Sequence, residues 1–497
     1  MEVIDSILFG FGVALQPGNL FYVFIGVFAG TIIGMVPGLG PISALALMIP
    51  ITFSMNPTSA LILMSGVYYG AIFGGSTSSI LLNAPGVAGT VATSFDGFPL
   101  AKQGKAGKAL ALAAWASFAG GTISVVALML VAPVLAKVAV SFGPPEYFAL
   151  MALGLTAVVS LSDKSLVKGL MAAVFGIMVS IVGIDRQTGT QRYTFDSLHL
   201  LQGVDFLVVA LGVFALAEVF VMLLKGMDAK GYVKQALGSL KLSRQEVREI
   251  AAPVARSSAQ GFFVGVLPGA GATVASFLAY ITEKRLAKDG ETFGKGNIKG
   301  VAAPEAANNA ACSGSFVPLL TLGVPGSGST AVLLGALLVM GVTPGPMMLT
   351  ERPDVFWGVI ASMYIGNLFL LILNLPLIPY IARILEVPRP MLLALILLFC
   401  MIGVYGLKFS AFDLWLLLGF GLVGLMMRLN GFPVAPMILA LILGDIMEEN
   451  MRRALQISGG DWMVFLEKPI SGSLLGIAVF SLIAPPLWRR MRGRRRS

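Results

Sequence analysis

The chain has 497 residues, 57% of them hydrophobic and only 12% charged, with a mean hydropathy of +0.88, far from the roughly 25% charged usage of soluble globular domains. It reads as a polytopic membrane protein. The net charge of +9 does not point to nucleic acid, because its densest cluster, Arg489, Arg490, Arg492, Arg494, Arg495 and Arg496, directly follows an apolar segment, where basic residues anchor a helix end in the cytoplasm.

In chain order, no short hydrophobic stretch followed by a small-residue cleavage site stands out at the start, so no removable signal peptide is expected. The first distinctive element is Gly30-Thr-Ile-Ile-Gly34-Met-Val-Pro37-Gly38-Leu-Gly40, which recurs 231 positions later as Gly261-Phe-Phe-Val-Gly265-Val-Leu-Pro268-Gly269-Ala-Gly271. Proline removes a backbone donor, and glycine costs about 1 kcal/mol in a helix interior. A matched break inside two apolar segments is therefore a placed interruption, and paired interruptions in two halves point to a transport site. Next comes Gly74-Gly-Ser-Thr-Ser-Ser-Ile-Leu-Leu-Asn83-Ala-Pro85-Gly86, which pairs with Gly314-Ser-Phe-Val-Pro-Leu-Leu-Thr321-Leu-Gly323-Val-Pro325-Gly326 at an offset of 240. Apolar runs at Leu153–Ser160, Leu170–Val182, Phe206–Leu224, Val355–Ile381, Met391–Val404 and Leu414–Met427 approach or reach the ~20 residues of a spanning helix. Asp205–Leu224 lines up with Pro436–Leu455, setting Glu218 opposite Glu449. The cysteines Cys312 and Cys400 lie in apolar or small-residue surroundings in different halves without metal-type spacing, as two buried free thiols would.

Two membrane repeats, 1–224 and 257–470, thus flank a polar linker at 225–256, expected in the cytoplasm, and a last helix with a basic tail follows at 471–497. Loop charge gives their relative orientation, since Lys and Arg accumulate in short cytoplasmic loops. Ser54–Thr58 carries no charge, while its counterpart Thr282–Lys299 holds Lys284, Arg285, Lys288, Lys295 and Lys299. Conversely Lys102, Lys105 and Lys108 correspond to Gly341–Asp354, where Arg352 faces Glu351 and Asp354. The bias flips between halves, as an inverted-topology repeat requires. Both ends of Arg256–Ile281 read as cytoplasmic, and Ala272–Ile281 reaches only about half of a ~30 Å hydrocarbon core. Each first Pro-Gly motif is therefore expected at the tip of a re-entrant hairpin facing an internal cavity. The expected fold class is an all-α polytopic membrane protein of two inverted-topology repeats, each with a re-entrant hairpin and Pro-Gly-broken helices, with roughly eleven crossings, the N-terminus outside and the C-terminus inside.

Half-helix N-termini suit carboxylate groups, while unwound carbonyls and half-helix C-termini suit Na⁺. The candidate substrate-binding residues are Pro37, Gly38, Gly40, Ser78, Ser79, Asn83, Pro268, Gly269, Gly271, Asn309, Ser327 and Ser329; those for a coupling ion are Asn83, Gly86, Glu305, Asn308, Thr321 and Gly326. Glu305 is the leading intramembrane ionisable group, for a cation or a proton, with Asp96, Glu218, Glu449 and Asp445 as alternatives nearer segment ends. Lys137 and Lys408 read as loop anchors and His199 as an exposed loop residue. Enzyme signatures are missing: Gly294-Lys295-Gly296 lacks the spacing of a phosphate loop, one histidine allows no H-E-x-x-H, and Gly326-Ser327-Gly328-Ser329 does not match G-x-S-x-G.

The Gly34–Gly40 and Gly265–Gly271 blocks, the stretch Tyr68–Gly86, Glu305-Ala-Ala-Asn-Asn-Ala310 and Thr321-Leu-Gly-Val-Pro-Gly-Ser-Gly328 resemble the large membrane subunit of bacterial tripartite tricarboxylate transporters, the TctA family, over nearly the whole chain. The resemblance implies a multi-pass protein of the bacterial inner membrane that takes up citrate or another small carboxylate. It also implies coupling to Na⁺ or H⁺, a periplasmic solute-binding protein that delivers substrate, and a small membrane subunit, with lipid around it and no other cofactor. Its signature positions here are Pro37, Gly38, Gly40, Asn83, Pro85, Gly86, Pro268, Gly269, Gly271, Asn308, Asn309, Pro325 and Gly326. The halves differ at Leu39-Gly-Pro41 against Ala270-Gly-Ala272. The rival from another class is an anion-selective channel, disfavoured because filters arise from several identical subunits whereas this chain has two unlike halves.

Overall fold

A computed structural model of the chain describes residues 3–36, 39–160, 165–185, 187–224, 238–269, 271–381 and 389–493. Pro37, Gly38, Ala270, positions 225–237 of the linker and Arg494, Arg495 and Arg496 lie outside the described residues. The first half comprises α1 (Val3–Ala14), α2 (Pro17–Met35), α3 (Gly40–Thr52), α4 (Pro57–Leu82), α5 (Val91–Leu100), α6 (Ala106–Ala139), α7 (Pro144–Ser160), α8 (Leu166–Ser180), α9 (Phe206–Ala210) and α10 (Ala217–Leu224). A short antiparallel ladder of β1 (Gly183–Ile184) and β2 (Gln191–Arg192) follows α8. The second half comprises α11 (Arg244–Val266), α12 (Gly271–Leu286), α13 (Ile298–Leu322), α14 (Gly328–Val339), α15 (Met348–Glu351), α16 (Pro353–Asn374), α17 (Ile378–Ile381), α18 (Arg389–Lys408), α19 (Ala411–Leu429), α20 (Val434–Ile457), α21 (Val464–Glu467) and α22 (Pro469–Gly493). Six of the described helices or helix stacks are long and apolar enough to cross a membrane, and the chain is an all-α polytopic membrane protein.

Glycine spacing sets the packing. Gly26, Gly30 and Gly34 line one face of α2, and a Cβ at these positions would lie 2.3, 2.3 and 2.2 Å from the carbonyl oxygens of Leu63, Val67 and Ala71 on α4. Gly70 and Gly74 of α4 answer at 2.4 Å from Val27 O and 2.1 Å from Thr31 O. The second half repeats the device: Gly261 and Gly265 of α11 meet the Ala307 and Ala311 oxygens of α13 at 2.3 and 2.2 Å, and Gly314 meets Phe262 O at 2.4 Å. Small residues at four-residue spacing let membrane helices approach until backbones touch. Helices α4 and α13 are buried along nearly their whole lengths, so their hydroxyls and amides are core groups.

The helix breaks correspond as well. Val36 and Leu267, both extended, close α2 and α11 by donating to Ile33 O at 3.1 Å and Val264 O at 3.2 Å. Gly40 at φ +63° and Gly271 at φ +59° open α3 and α12. Asn83 at φ 52° and Gly323 at φ 68° stop α4 and α13 in the left-handed region, which asparagine tolerates better than other residues with a Cβ. Two expectations shift in extent. α12 continues past Ile281 to Leu286, and the linker segment 225–256 is helical from Arg244, where Ser243 and Glu246 form a capping box.

Contacts between helix ends sort into two ends of the molecule. At one, Thr58 donates to Asp354 at 2.6 Å, Lys468 faces Glu146 at 4.0 Å, Arg452 pairs with Asp185 at 3.0 Å and Lys408 with Asp205 at 3.5 Å. At the other, reached through the 34-residue α6, Gln103 donates to Lys295 O at 2.9 Å, Lys108 pairs with Glu246 at 2.5 Å and Lys299 with Glu249 at 3.3 Å. Lys168 donates to Asn430 O at 2.6 Å at that same, lysine-rich end.

Gly34→Val and Gly265→Val drive side chains into backbone oxygens, an overpacking cost of about 1–3 kcal/mol or more. Both variants are expected to lose the monodisperse size-exclusion peak after detergent extraction. Gly12→Val, where nothing lies within 4 Å, is expected to keep it.

Candidate substrate and cation site

Glu305 on α13 is fully buried. Its carboxylate accepts from Ser76 Oγ of α4 at 2.7 Å, Thr93 Oγ1 of α5 at 2.5 Å and Ser117 Oγ of α6 at 2.9 Å. Three hydroxyls from the first half thus close on one carboxylate of the second. Hydroxyls orient and solvate an acid but do not neutralise it, and a buried charge is costly until a counter-charge or a proton arrives.

The amides beside it are incompletely satisfied. Asn308, fully buried, has no hydrogen-bond partner at Nδ2 or Oδ1, and it presses against the turn after the first-half break, where a Cβ on Gly89 would lie 2.4 Å from Oδ1. Asn309 donates from Nδ2 to Glu305 O at 3.0 Å, while its Oδ1 lacks a partner. Native buried polar atoms are paired in the great majority, so these orphaned atoms stand out in the core.

The breaks pack against their own halves and against each other. A Cβ on Gly86 would lie 1.9 Å from Gly34 O, and one on Gly326 would lie 2.9 Å from Gly265 O, so both second motifs seat glycine against the helix preceding the first. Gly269 N–H donates to Gly326 O at 3.0 Å. The halves also touch each other: Tyr68 OH and Ser327 Oγ are 3.3 Å apart, and a Cβ on Gly328 would meet Ile42 Cδ1 at 2.9 Å. Asn83 is exposed, and Gly40, Pro268, Gly269, Gly271 and Ser327 are half-buried. The break residues thus range from exposed to buried, Gly86, Gly323, Pro325 and Gly326 being buried, while Glu305, Asn308 and Asn309 are fully buried.

Several candidates are occupied by internal bonds. Ser78 and Ser79 donate to Gly75 O at 3.2 and 2.9 Å, and Ser79 also meets Thr90 Oγ1 at 2.7 Å, tying the end of α4 to the turn beyond the break. Thr321 donates to Val317 O at 2.7 Å within its own helix. Ser327 caps α14 reciprocally with Thr330, and Ser329 is buried in its first turn. Thr93 and Ser117 are absent from the sequence-based candidates. Thr93 stands among other hydroxyls, Thr90 and Ser94, and Ser117 in an Ala-rich apolar run, with no spacing signal to distinguish either.

The other ionisable candidates belong to structural pairs. Asp96 Oδ1 accepts from the N–H groups of Gly294, Gly296 and Asn297 at 2.8, 2.8 and 2.7 Å, and Oδ2 accepts from Tyr280 OH at 2.9 Å. It latches α5 to the loop before α13. Glu218 is buried against Arg428, whereas its counterpart Glu449 is half-buried and paired along its own helix with Arg453. Lys137 is exposed, and exposed His199 stacks on Phe412 at 4.9 Å. Cys312 and Cys400 are free and buried. An 810 Å³ cavity lies away from the breaks, beside the β-ladder, lined in part by Asp185, Arg192, Glu448 and Arg452, which pair with one another. At the lysine-rich end, Lys108 and the Ser243 N–H hold Glu246 down to about 2, and Lys299 holds Asp289 below its usual range. Depressed carboxylates contribute stability above their unfolded-state values, and that contribution is lost as pH falls through the folded ones. This clamp of α6 on α11 therefore holds at neutral pH.

Matching helix breaks in two halves, around a core that holds a buried carboxylate, fit the class of polytopic membrane transport proteins. The chain belongs to the tripartite tricarboxylate transporter TctA family, whose model matches residues 20–439. It is 44% identical over 483 residues, 97% of this chain and 96% of the relative, to the "uncharacterized 52.8 kDa protein in TAR-I ttuC' 3'region" of Agrobacterium vitis. It is also 47% identical over 223 residues, 45% of this chain and 92% of the relative, to the "uncharacterized protein in TAR-II ttuC' 3'region" of the same organism. No solved structure matches the chain.

Asp96→Ala strands three backbone donors, at about 1–3 kcal/mol each, and is expected to lower the melting temperature of the purified protein sharply. Glu305→Gln keeps an oxygen to accept the hydroxyls and is expected to stay folded, which thermal melting of the two variants side by side checks.

Proposed function

We propose that the protein carries out secondary active uptake of a small carboxylate, a tricarboxylate or dicarboxylate such as citrate, across the bacterial inner membrane. Uptake is coupled to a cation, Na⁺ in the leading reading. Substrate is delivered by a periplasmic binding protein, and a small membrane subunit completes the assembly. The observation that carries the reading is the fully buried Glu305, whose three hydroxyl partners come from the opposite half, together with matching helix breaks whose halves touch between Tyr68 and Ser327 and between Ile42 and Gly328. The family assignment supports the substrate class and the partners.

In this reading the two halves, 1–224 and 257–470, form inverted repeats. The first motifs, including Pro37 and Gly38, are tips of re-entrant hairpins. The equivalent breaks and glycine contacts support the repeat, and the lysine-rich end supports a cytoplasmic face there. The helix starts at Gly40, Gly271 and Gly328 offer N–H groups to the carboxylate, joined by Asn83, Ser327 and Asn308. Glu305 attracts the cation, whose arrival neutralises the buried charge and couples the two sites. Movement of one half against the other exposes the site alternately.

Reconstituted into proteoliposomes with the binding protein and small subunit, the wild type is expected to accumulate a carboxylate against its gradient when Na⁺ is high outside. Glu305→Gln is expected to lower that rate by tenfold or more at unchanged protein level. Accumulation that never exceeds the external concentration would instead identify a channel.

Orientation is tested separately by single cysteines. Asn56→Cys and Thr350→Cys are expected to react with an impermeant thiol reagent in intact cells, and Gly104→Cys and Gly290→Cys only after permeabilisation. Equal labelling of Asn56→Cys and Gly290→Cys contradicts the inversion.

A further inference from the structure

Asn367 of α16 is 1% exposed, and neither Nδ2 nor Oδ1 has a hydrogen-bond partner. It lies in no repeated motif. It packs against α6 at Gly121, where a Cβ would lie 2.7 Å from Nδ2 and 2.9 Å from Oδ1.

Its level relative to Glu305 follows from the contacts of its neighbours. Ser76 of α4 meets Glu305 and Tyr69 of α4 meets Ser313 at 2.8 Å, so α4 and α13 run antiparallel. α16 runs parallel to α4, because Thr58 meets Asp354 at their starts and Tyr69 OH donates to Met363 Sδ at 3.3 Å further along both. α16 is therefore antiparallel to α13. One turn forward from Met363 is Asn367, and one turn back from Ser313 is Asn309. α6 gives the same level independently: Ser117 meets Glu305, a Cβ on Gly120 would lie 2.3 Å from Ala306 O, and Gly121 then meets Asn367. Asn309, with its unpartnered Oδ1, and Asn367 thus face a common space one helical turn from the Glu305 carboxylate.

We propose that the side-chain oxygens of Asn309 and Asn367 hold a dehydrated alkali cation, a station distinct from the carboxylate itself. The inference deepens the cation-coupled reading above and rests on it for the use to which the ion is put. Two orphaned amides in a dry core supply neutral oxygens, which replace the water shell of a monovalent ion. A divalent ion would need several carboxylates, and among the described residues no group of three His, Cys, Asp or Glu side chains could hold a metal. Glu305, one turn away, supplies the single compensating charge. The missing side chain at Gly121 leaves room for the Asn367 amide, which a methyl there would displace.

The test is thermal melting of the full-length purified protein in NaCl, LiCl, KCl and choline chloride at equal ionic strength, with no carboxylate present. Wild type is expected to melt higher in NaCl than in choline chloride, with a saturable dependence on Na⁺. Asn367→Leu and Gly121→Ala are each expected to raise the half-saturating Na⁺ concentration by tenfold or more, and Asn367→Asp to retain stabilisation. Gly121→Ala and Asn367→Ser decide the matter if Asn367→Leu does not fold. Identical melting of wild type in all four salts, as bound water alone would give, overturns the inference, and so does wild-type Na⁺ dependence in Asn367→Ser and Gly121→Ala. Failure of carboxylate uptake alongside intact Na⁺ stabilisation would remove the transport reading and leave this site standing.

Discussion

Backbone that leaves a helix inside a membrane must find its hydrogen-bond partners within the protein; at the breaks Val36 and Leu267 donate to Ile33 O and Val264 O and Gly269 donates to Gly326 O, while glycine lets the neighbouring backbones close up around them. Gly86 sits on Gly34 O and Gly326 on Gly265 O, too close for any Cβ. The same close approach secures the break in both halves. The Gly30 and Gly261 ridges extend it down α2 and α11, pressing α4 and α13 into the centre. Everything polar that these central helices carry is thereby delivered to the interior.

That delivery gives Glu305 its character. A carboxylate at the middle of a buried helix is solvated only by what neighbouring helices bring, and here α4, α5 and α6 bring one hydroxyl each. All three donors belong to the first half and the acceptor to the second, so any motion between the halves must disturb the solvation of the charge. A cation bound at this point would stabilise one relative placement of the halves over another. Differential binding to two conformations is the only way a ligand shifts an equilibrium.

Much of this is legible in the sequence because the constraint behind it is local. Positive φ, missing N–H groups and close backbone approach call for Gly, Pro and Asn at fixed offsets, and the repetition of these residues along the chain is enough by itself to locate both breaks. Glu305 is legible as a rare charge in an apolar run. Thr93, Ser117 and Asn367 are not, because ordinary residues become partners of the site only through packing between helices far apart in the chain. Asp96 misleads for the same reason: its three N–H donors lie some 200 positions on, in the loop at 294–297. Glu218 and Glu449 align in sequence yet differ in burial, since the first packs against Arg428 while the second is half-buried and pairs along its own helix with Arg453.

The central claim is that the breaks of the two halves line one ligand site. It is tested most directly by single-cysteine proteins carrying Asn83→Cys or Ser327→Cys, with Cys312 and Cys400 replaced by serine. These are labelled with a water-soluble thiol reagent in the presence and absence of carboxylate and Na⁺. The account predicts that both cysteines react in choline chloride and are both protected when carboxylate and Na⁺ are added together. Protection of one alone, or labelling indifferent to both ligands, would contradict a shared site.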